Sequence, residues 1–193
     1  MEIRKPSDIK KPTENKETKP ETQKRLPKEV CDILNKQIQN EFNNALMYLA
    51  SGMWLYKNNF TNGWKAFNKF SEEELKHMEK IINYMKERNC ETIQPKSEEQ
   101  KEEFKDVLEV LRSALEAEFK TTSDWENICG ICLKAPCYTS FHWAEAFLCI
   151  QREEEKEHRE FIRQFLLSED PQKKDMDHVF CHILYSDEAK NIT

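Results

Sequence analysis

The sequence predicts an all-α protein: a four-helix bundle with one long crossover and a short fifth helix near the C-terminus. Three observations predict it. Apolar residues recur at intervals of three and four along four long segments, the spacing that gathers side chains onto one helix face. No run alternates apolar and polar residues in the manner of a half-buried strand, and the 193 residues include only 3 glycines. The segments are joined by a short, a long and a short connection, the order expected of two antiparallel helical hairpins linked end to end.

Residues 1–26 are Lys, Glu, Thr and Pro with hardly any large apolar side chains, and read as a disordered tail. The remainder, 27–193, reads as one bundle domain, large enough to bury most of its apolar surface. Pro27 suits a first helical turn, and the first helix is expected over about 28–57. Asn58–Gly63 is a short turn, followed by a second helix over about 63–89. Residues 90–103, with Pro95, form the polar crossover. A third helix over about 104–134 stops before Pro136, and Thr139 or Ser140 caps a fourth that continues to about 167. After Asp170-Pro171 comes a short amphipathic piece, about 175–189, with Val179, Phe180, Ile183 and Leu184.

The formal charge is −6. The first 28 residues hold nine Lys/Arg and five Asp/Glu, a net of +4, so the rest carries −10. So acidic a body argues against nucleic acid as a partner and in favour of cations. No apolar run approaches the ~20 residues needed to span a bilayer, and no hydrophobic leader is evident. The expected location is cytoplasmic. The 7 cysteines are then expected to be reduced thiols. Cys129, Cys132 and Cys137, spaced C-x2-C-x4-C, read as small buried hydrophobes, with a metal or redox role the alternative.

The chemistry lies where the stripes are interrupted. The second helix reads Phe67, Phe70, Glu74, His77, Ile81, Tyr84, spaced 3, 4, 3, 4, 3. A carboxylate and an imidazole on a core-facing stripe are costly unless paired or bound to metal. The first helix carries Glu41 and Tyr48 within Leu34, Ile38, Glu41, Ala45, Tyr48, Gly52, Leu55. The third carries Glu118 within Leu108, Leu111, Leu115, Glu118, Thr122, Trp125, and the fourth carries Gln151 after Ala144, Phe147 and Leu148. Glu41 to Glu74 and Glu118 to Gln151 are both 33 residues, and the two pairs are offset by 77. A weak repeat of two hairpins thus places five polar groups at matching depth. Oxygen-rich donors with one imidazole suit Fe(II), and also Zn(II) or Mn(II). They can hold two metals ~3.5–4 Å apart, with Glu74 bridging, Glu41 and His77 completing the first metal, and Glu118 the second. Gln151, a neutral and weak ligand, orients dioxygen or water. Such a lopsided site would hold product iron loosely and favour turnover. Tyr48, two turns beyond Glu41, would supply an electron or a proton during oxygen reduction. Glu155 and His158 form a second E-x-x-H, but out of register with the repeat, so His158 reads as a partly buried neighbour, with a shifted ligand the alternative.

QIQNEFNNALMYLA, FSEEELKHMEKI, Glu118 and IQREEEK, with both 33-residue spacings, resemble non-haem ferritins, closest to the bacterial type. The resemblance spans about 28–190. It implies a ferritin-like bundle that assembles into a hollow shell of twenty-four copies. It also implies that the shell oxidises Fe(II) with dioxygen or hydrogen peroxide and stores a ferric mineral. By position, Glu41, Glu74 and His77 match the family's first iron site, Glu74, Glu118 and Gln151 its second, and Tyr48 its ferroxidase-centre tyrosine. Glu73, Glu153 and Glu154 match three ligands of an additional iron site whose fourth is Ile150 here. Leu75 stands where haem-binding relatives carry Met, so no haem is expected. Phe141 and Ala144 occupy the region of the animal family's acidic three-fold channel, with His142 and Glu145 nearby. Two other readings stand beside this one. A small di-iron redox enzyme of the rubrerythrin type would normally bring paired C-x-x-C motifs and two in-register E-x-x-H motifs, both missing here. The other reading is an inactive structural shell subunit.

Overall fold

The computed structural model describes residues 25–167 and 177–181. Four helices run in order: α1 Lys28–Lys57, α2 Thr61–Glu87, α3 Val107–Lys134 and α4 Tyr138–Leu167. A helical turn, α5, covers 177–181. The remainder of the expected fifth helix, and residues 1–24 of the expected tail, lie outside the described residues. Leu26, assigned to the expected tail, is buried in the core with Val30 and Cys31.

Asparagine, rather than glycine, ends the first two helices. Asn59 and Asn89 adopt φ of 69° and 53°, a conformation Asn tolerates better than most residues. The following amides, of Phe60 and Cys90, return to the carbonyls of Leu55 and Met85 at 2.9 Å. α2 starts two residues earlier than expected, and α5 caps it. The Asp177 carboxylate accepts from the Asn62 and Gly63 amides at 2.7 and 3.0 Å. α3 starts three residues later than expected, because the Asp106 side chain accepts the Glu109 amide at 2.9 Å. That leaves Phe104 free to turn into the core. Neither Thr139 nor Ser140 caps α4. The helix begins at Tyr138, and buried Ser140 hydrogen-bonds Tyr84 at 2.7 Å.

The crossover is docked along α1. Asn35 accepts from the Ile93 amide at 2.8 Å and donates to the Glu91 carbonyl at 3.0 Å. Gln39 does the same with Lys96, at 2.8 and 2.6 Å. Each amide side chain thus satisfies backbone groups that no helix or sheet serves.

The inward register of α3 differs from expectation by one residue. Val107, Val110, Ala114 and Thr121 are buried, while Leu108, Leu115 and Thr122 lie at the flank. Both choices fit a 3.6-residue period, and packing selects the one that centres Glu118 and Trp125.

Two apolar clusters fill the bundle. One end holds Leu34, Ile38, Ile81, Met85, Trp125 and Phe147. The other holds Leu55, Phe67, Phe70, Leu111, Phe161 and Phe180. Between them lies a polar layer.

Cysteine pairing corrects one expectation. Cys31 and Cys90 form a disulfide across 59 residues, tying the start of α1 to the end of α2. Separation in sequence hid this pair. Cys129, Cys132 and Cys137 are buried free thiols in the first cluster, beside Trp125 and Ile128. Burial pushes the Cys132 thiol up to about 12, which suits packing better than metal binding.

Candidate metal centre

Glu41 from α1 and Glu74 and His77 from α2 converge in the polar layer. Each offers a ligand atom, and these atoms all lie within 4.8 Å of one another. The i, i+3 step from Glu74 to His77 stacks both on one face, and α1 supplies Glu41 from the facing helix. No other such cluster of three or more occurs among the described residues. Glu118 and Gln151 reach the same layer from α3 and α4 but are engaged differently. Tyr48 hydrogen-bonds the Glu118 carboxyl, and Gln151 donates to Glu154. Glu154 Oε1 also lies 3.7 Å from His77 Nε2.

The five expected ligands share one property. Glu41 Oε2, Glu74 Oε2, His77 Nδ1, Glu118 Oε2 and Gln151 Oε1 are all buried without a hydrogen-bond partner. An orphaned buried polar atom costs about 1–3 kcal/mol, so five in one layer call for a partner. The acceptor-rich donor set, with one imidazole, fits a hard or borderline cation such as iron.

Electrostatics agree. Burial, then the adjacent Glu74, holds the Glu41 carboxyl well above its ordinary range. Burial does the same to Glu74. Burial brings Glu118 to about 7 against the opposing Tyr48 bond, and brings Glu154, with help from Glu118 and Glu41, to about 9. Burial lowers His77. A cation would reverse these penalties, since carboxylates must shed protons to bind one.

Glu73, Glu153 and Glu154, the residues of the expected additional site, line one depression together with Ile150. Glu153 is exposed and paired with Lys156 at 3.3 Å, whereas Glu154 turns toward Gln151 and His77. This open depression of about 600 Å³ meets the polar layer at His77. His142 and Glu145 are exposed and 3.5 Å apart.

His158 overturns the expectation of a partly buried neighbour. It is 2% exposed, and its Nε2 lies 3.0 Å from the Tyr48 hydroxyl. The signal was present: Gln151 and His158 are seven apart on the stripe that continues to Phe161 and Phe165. Its E-x-x-H partner, Glu155, turns aside to accept from Thr122 at 2.6 Å.

The Ferritin-like domain family profile matches residues 31–167. The chain belongs to the ferritin family. Curated ferritins resemble it at modest identity. A bacterial non-heme ferritin of Campylobacter jejuni is 28% identical over 130 residues, 67% of this chain and 78% of that protein. A probable bacterial non-heme ferritin-like protein of Haemophilus influenzae is 28% identical over 131 residues, 68% and 79% of the two chains. Among solved structures, an open pore ferritin from Archaeoglobus fulgidus superposes with a TM-score of 0.77 at 19% identity, covering 80% of this chain and 97% of that one. Membership of the non-haem ferritin family ties the chain to iron binding and iron storage. No helix among the described residues is long and apolar enough to cross a membrane.

Proposed function

We propose that this chain is an iron-storage ferroxidase. It takes Fe(II) as substrate, oxidises it to Fe(III) at a two-iron centre and delivers the product to a ferric mineral. The electrons pass to dioxygen or hydrogen peroxide. Glu41 and His77 hold the first iron, Glu74 bridges, and Glu118 with Gln151 receives the second. The observation that carries this reading is that five of the eight buried side-chain atoms without a hydrogen-bond partner among the described residues belong to these five residues. Gln37 fixes Glu41 by donating to it at 2.9 Å, so the first half of the site is aimed before iron arrives. Tyr48 holds Glu118 and is placed to donate an electron. The depression beside His77, which Glu154 also lines, supports access from the α2/α4 face. Glu73, Glu153 and Glu154, which line that depression, would take up iron as an additional site. Family resemblance supports assembly of identical copies into a twenty-four-subunit shell, working in the cytoplasm without haem.

The test is aerobic addition of Fe(II) to purified protein, following ferric absorbance and then particle size. Fast oxidation with hundreds of irons retained per large particle, the order of magnitude expected for a mineral core rather than the one or two ions of a two-metal site, is the expected outcome. Oxidation of about two irons per chain in a small oligomer would replace this reading with a di-iron redox enzyme. No oxidation above buffer would leave a structural subunit.

A further inference from the structure

The proposed function leaves one buried group unused. His158 is ringed by aromatic faces, with Phe70, Phe161 and Tyr48 centroids at 5.0, 5.6 and 5.8 Å. Its Nδ1 lies 2.9 Å from the Glu154 carbonyl oxygen. A carbonyl only accepts, so Nδ1 carries the ring proton. An imidazole so buried stays neutral, which leaves Nε2 as a bare lone pair aimed at the Tyr48 hydroxyl 3.0 Å away. That hydroxyl has one proton and two acceptors, Glu118 and His158. Iron at the free Oε2 of Glu118 would draw charge from the carboxylate and weaken Oε1 as an acceptor, which would leave His158 Nε2 the more basic lone pair on that hydroxyl.

We propose that His158 is a positioning residue that takes the phenol proton of Tyr48, allowing Tyr48 to act as an electron donor during iron oxidation. This rests on the ferroxidase reading. Two Fe(II), and then a third, give dioxygen three of the four electrons that, with four protons from solvent, carry it to two waters, and Tyr48 gives the fourth. Its O–H bond breaks, the electron passes to the partly reduced dioxygen, and the proton passes to His158 Nε2. A neutral tyrosyl radical and an imidazolium result. A further Fe(II) then returns the electron to Tyr48, becoming Fe(III), and the proton returns from His158. Without an acceptor the oxidised phenol would be a buried cation among aromatic rings, a costly charge. The hydrogen bond removes that obstacle before the electron leaves.

Two measurements test this on the full chain. In iron-free protein, ¹⁵N NMR should find His158 neutral with its proton on Nδ1; a proton on Nε2 would overturn the proposal. In freeze-quenched protein given Fe(II) and air, the EPR signal of a neutral tyrosyl radical should appear in the wild type and vanish in Tyr48→Phe. In His158→Phe the first two irons per chain should oxidise within about twofold of the wild-type rate, while the radical yield falls about tenfold or more. His158→Gln keeps a hydrogen-bond acceptor without a base; it should fold as the wild type does and restore the phenol contact but not the radical. A radical at wild-type yield in either variant overturns the proposal, as does a wild type that oxidises iron with no radical. A wild type that oxidises no iron overturns the ferroxidase reading itself, a result distinguishable from the others.

Discussion

The two helical hairpins repeat one another in sequence and differ in chemistry. An offset of 77 carries Glu41 onto Glu118, Glu74 onto Gln151 and His77 onto Glu154. It also carries Asn44 onto Thr121, and these two hydrogen-bond across the bundle at 2.9 Å. In the α1/α2 hairpin the three groups meet within 4.8 Å with orphaned atoms facing one another. In the α3/α4 hairpin Tyr48 holds Glu118, and Glu154 accepts from Gln151. A repeated spacing therefore fixes where groups sit, while the identity of each group decides whether it awaits a metal or satisfies its neighbour. We read the first hairpin as the tight half of the centre and the second as the half that releases product.

The largest expected effect breaks the first half. Glu74→Ala with His77→Ala should reduce fast Fe(II) oxidation to the uncatalysed background. Loss of a supporting outer group typically costs 10–100-fold, so losing a bridging ligand and an imidazole should cost more than about a hundredfold. The double variant should still fold, because it removes an unsatisfied buried carboxyl rather than a packed one. Retained fast oxidation would remove these residues from the site.

The next effect concerns stability. Only the first hairpin is closed by a disulfide among the described residues, Cys31–Cys90. Cys90→Ser, or a reductant, should lower unfolding free energy by about 2–4 kcal/mol, the typical range for a disulfide. Iron oxidation should be unchanged, since Cys31 lies ten residues from Glu41 along α1, about 15 Å. Denaturant melts with and without reductant measure it; coincident melts would show that the bond contributes nothing.

A smaller effect separates the halves by pH. In the iron-free fold Glu118 and Glu154 keep protons to about 7 and about 9, against an ordinary 4.5. From pH 7 to 9 the folded state therefore binds more protons than the unfolded chain, and stability falls as pH rises. His158, lowered to about 4 from an ordinary 6.5, acts with the opposite sign. It stays neutral in the fold while the unfolded chain protonates, so its own contribution falls on acidification from 6.5 toward 4 and opposes that of the buried carboxyls. The thermal midpoint should drop by roughly 5 °C between pH 7 and 9, and Glu154→Gln should flatten that limb. A midpoint that rises over this range would contradict buried protonated carboxyls.

Parts of this were legible in the sequence for a physical reason. The α2 stripe keeps strict 3–4 spacing with polar residues only at Glu74 and His77, so the fold's cost and the metal's use coincide there. α3 offers apolar residues on two adjacent stripes, and only packing distinguishes Val107 and Ala114 from Leu108 and Leu115. Asn35 and Gln39 look like a solvated face until the crossover backbone is laid against them. His158 was hidden by following the 77-residue offset, which ends at Glu154, instead of the heptad that starts at Gln151. The disulfide joins two cysteines whose proximity only the hairpin creates.

The finest test makes the second half resemble the first. Gln151→Glu supplies a carboxylate where the repeat would place the counterpart of Glu74. The amide is a weak ligand and its Oε1 is already orphaned, so the substitution changes charge with little change in shape. Zn(II), a redox-silent probe, should bind about tenfold more tightly. The first iron per chain should bind as in the wild type, because Glu41, Glu74 and His77 are untouched, and the added carboxylate should affect only the second. Later turnovers should slow severalfold, since Fe(III) must leave a site with one more anionic donor. In iron-free protein a further buried carboxyl should steepen the loss of stability above pH 7. Tight binding with undiminished turnover would mean that product release is set elsewhere, and the neutral residue at position 151 would then be a packing choice rather than the reason the second hairpin lets iron go.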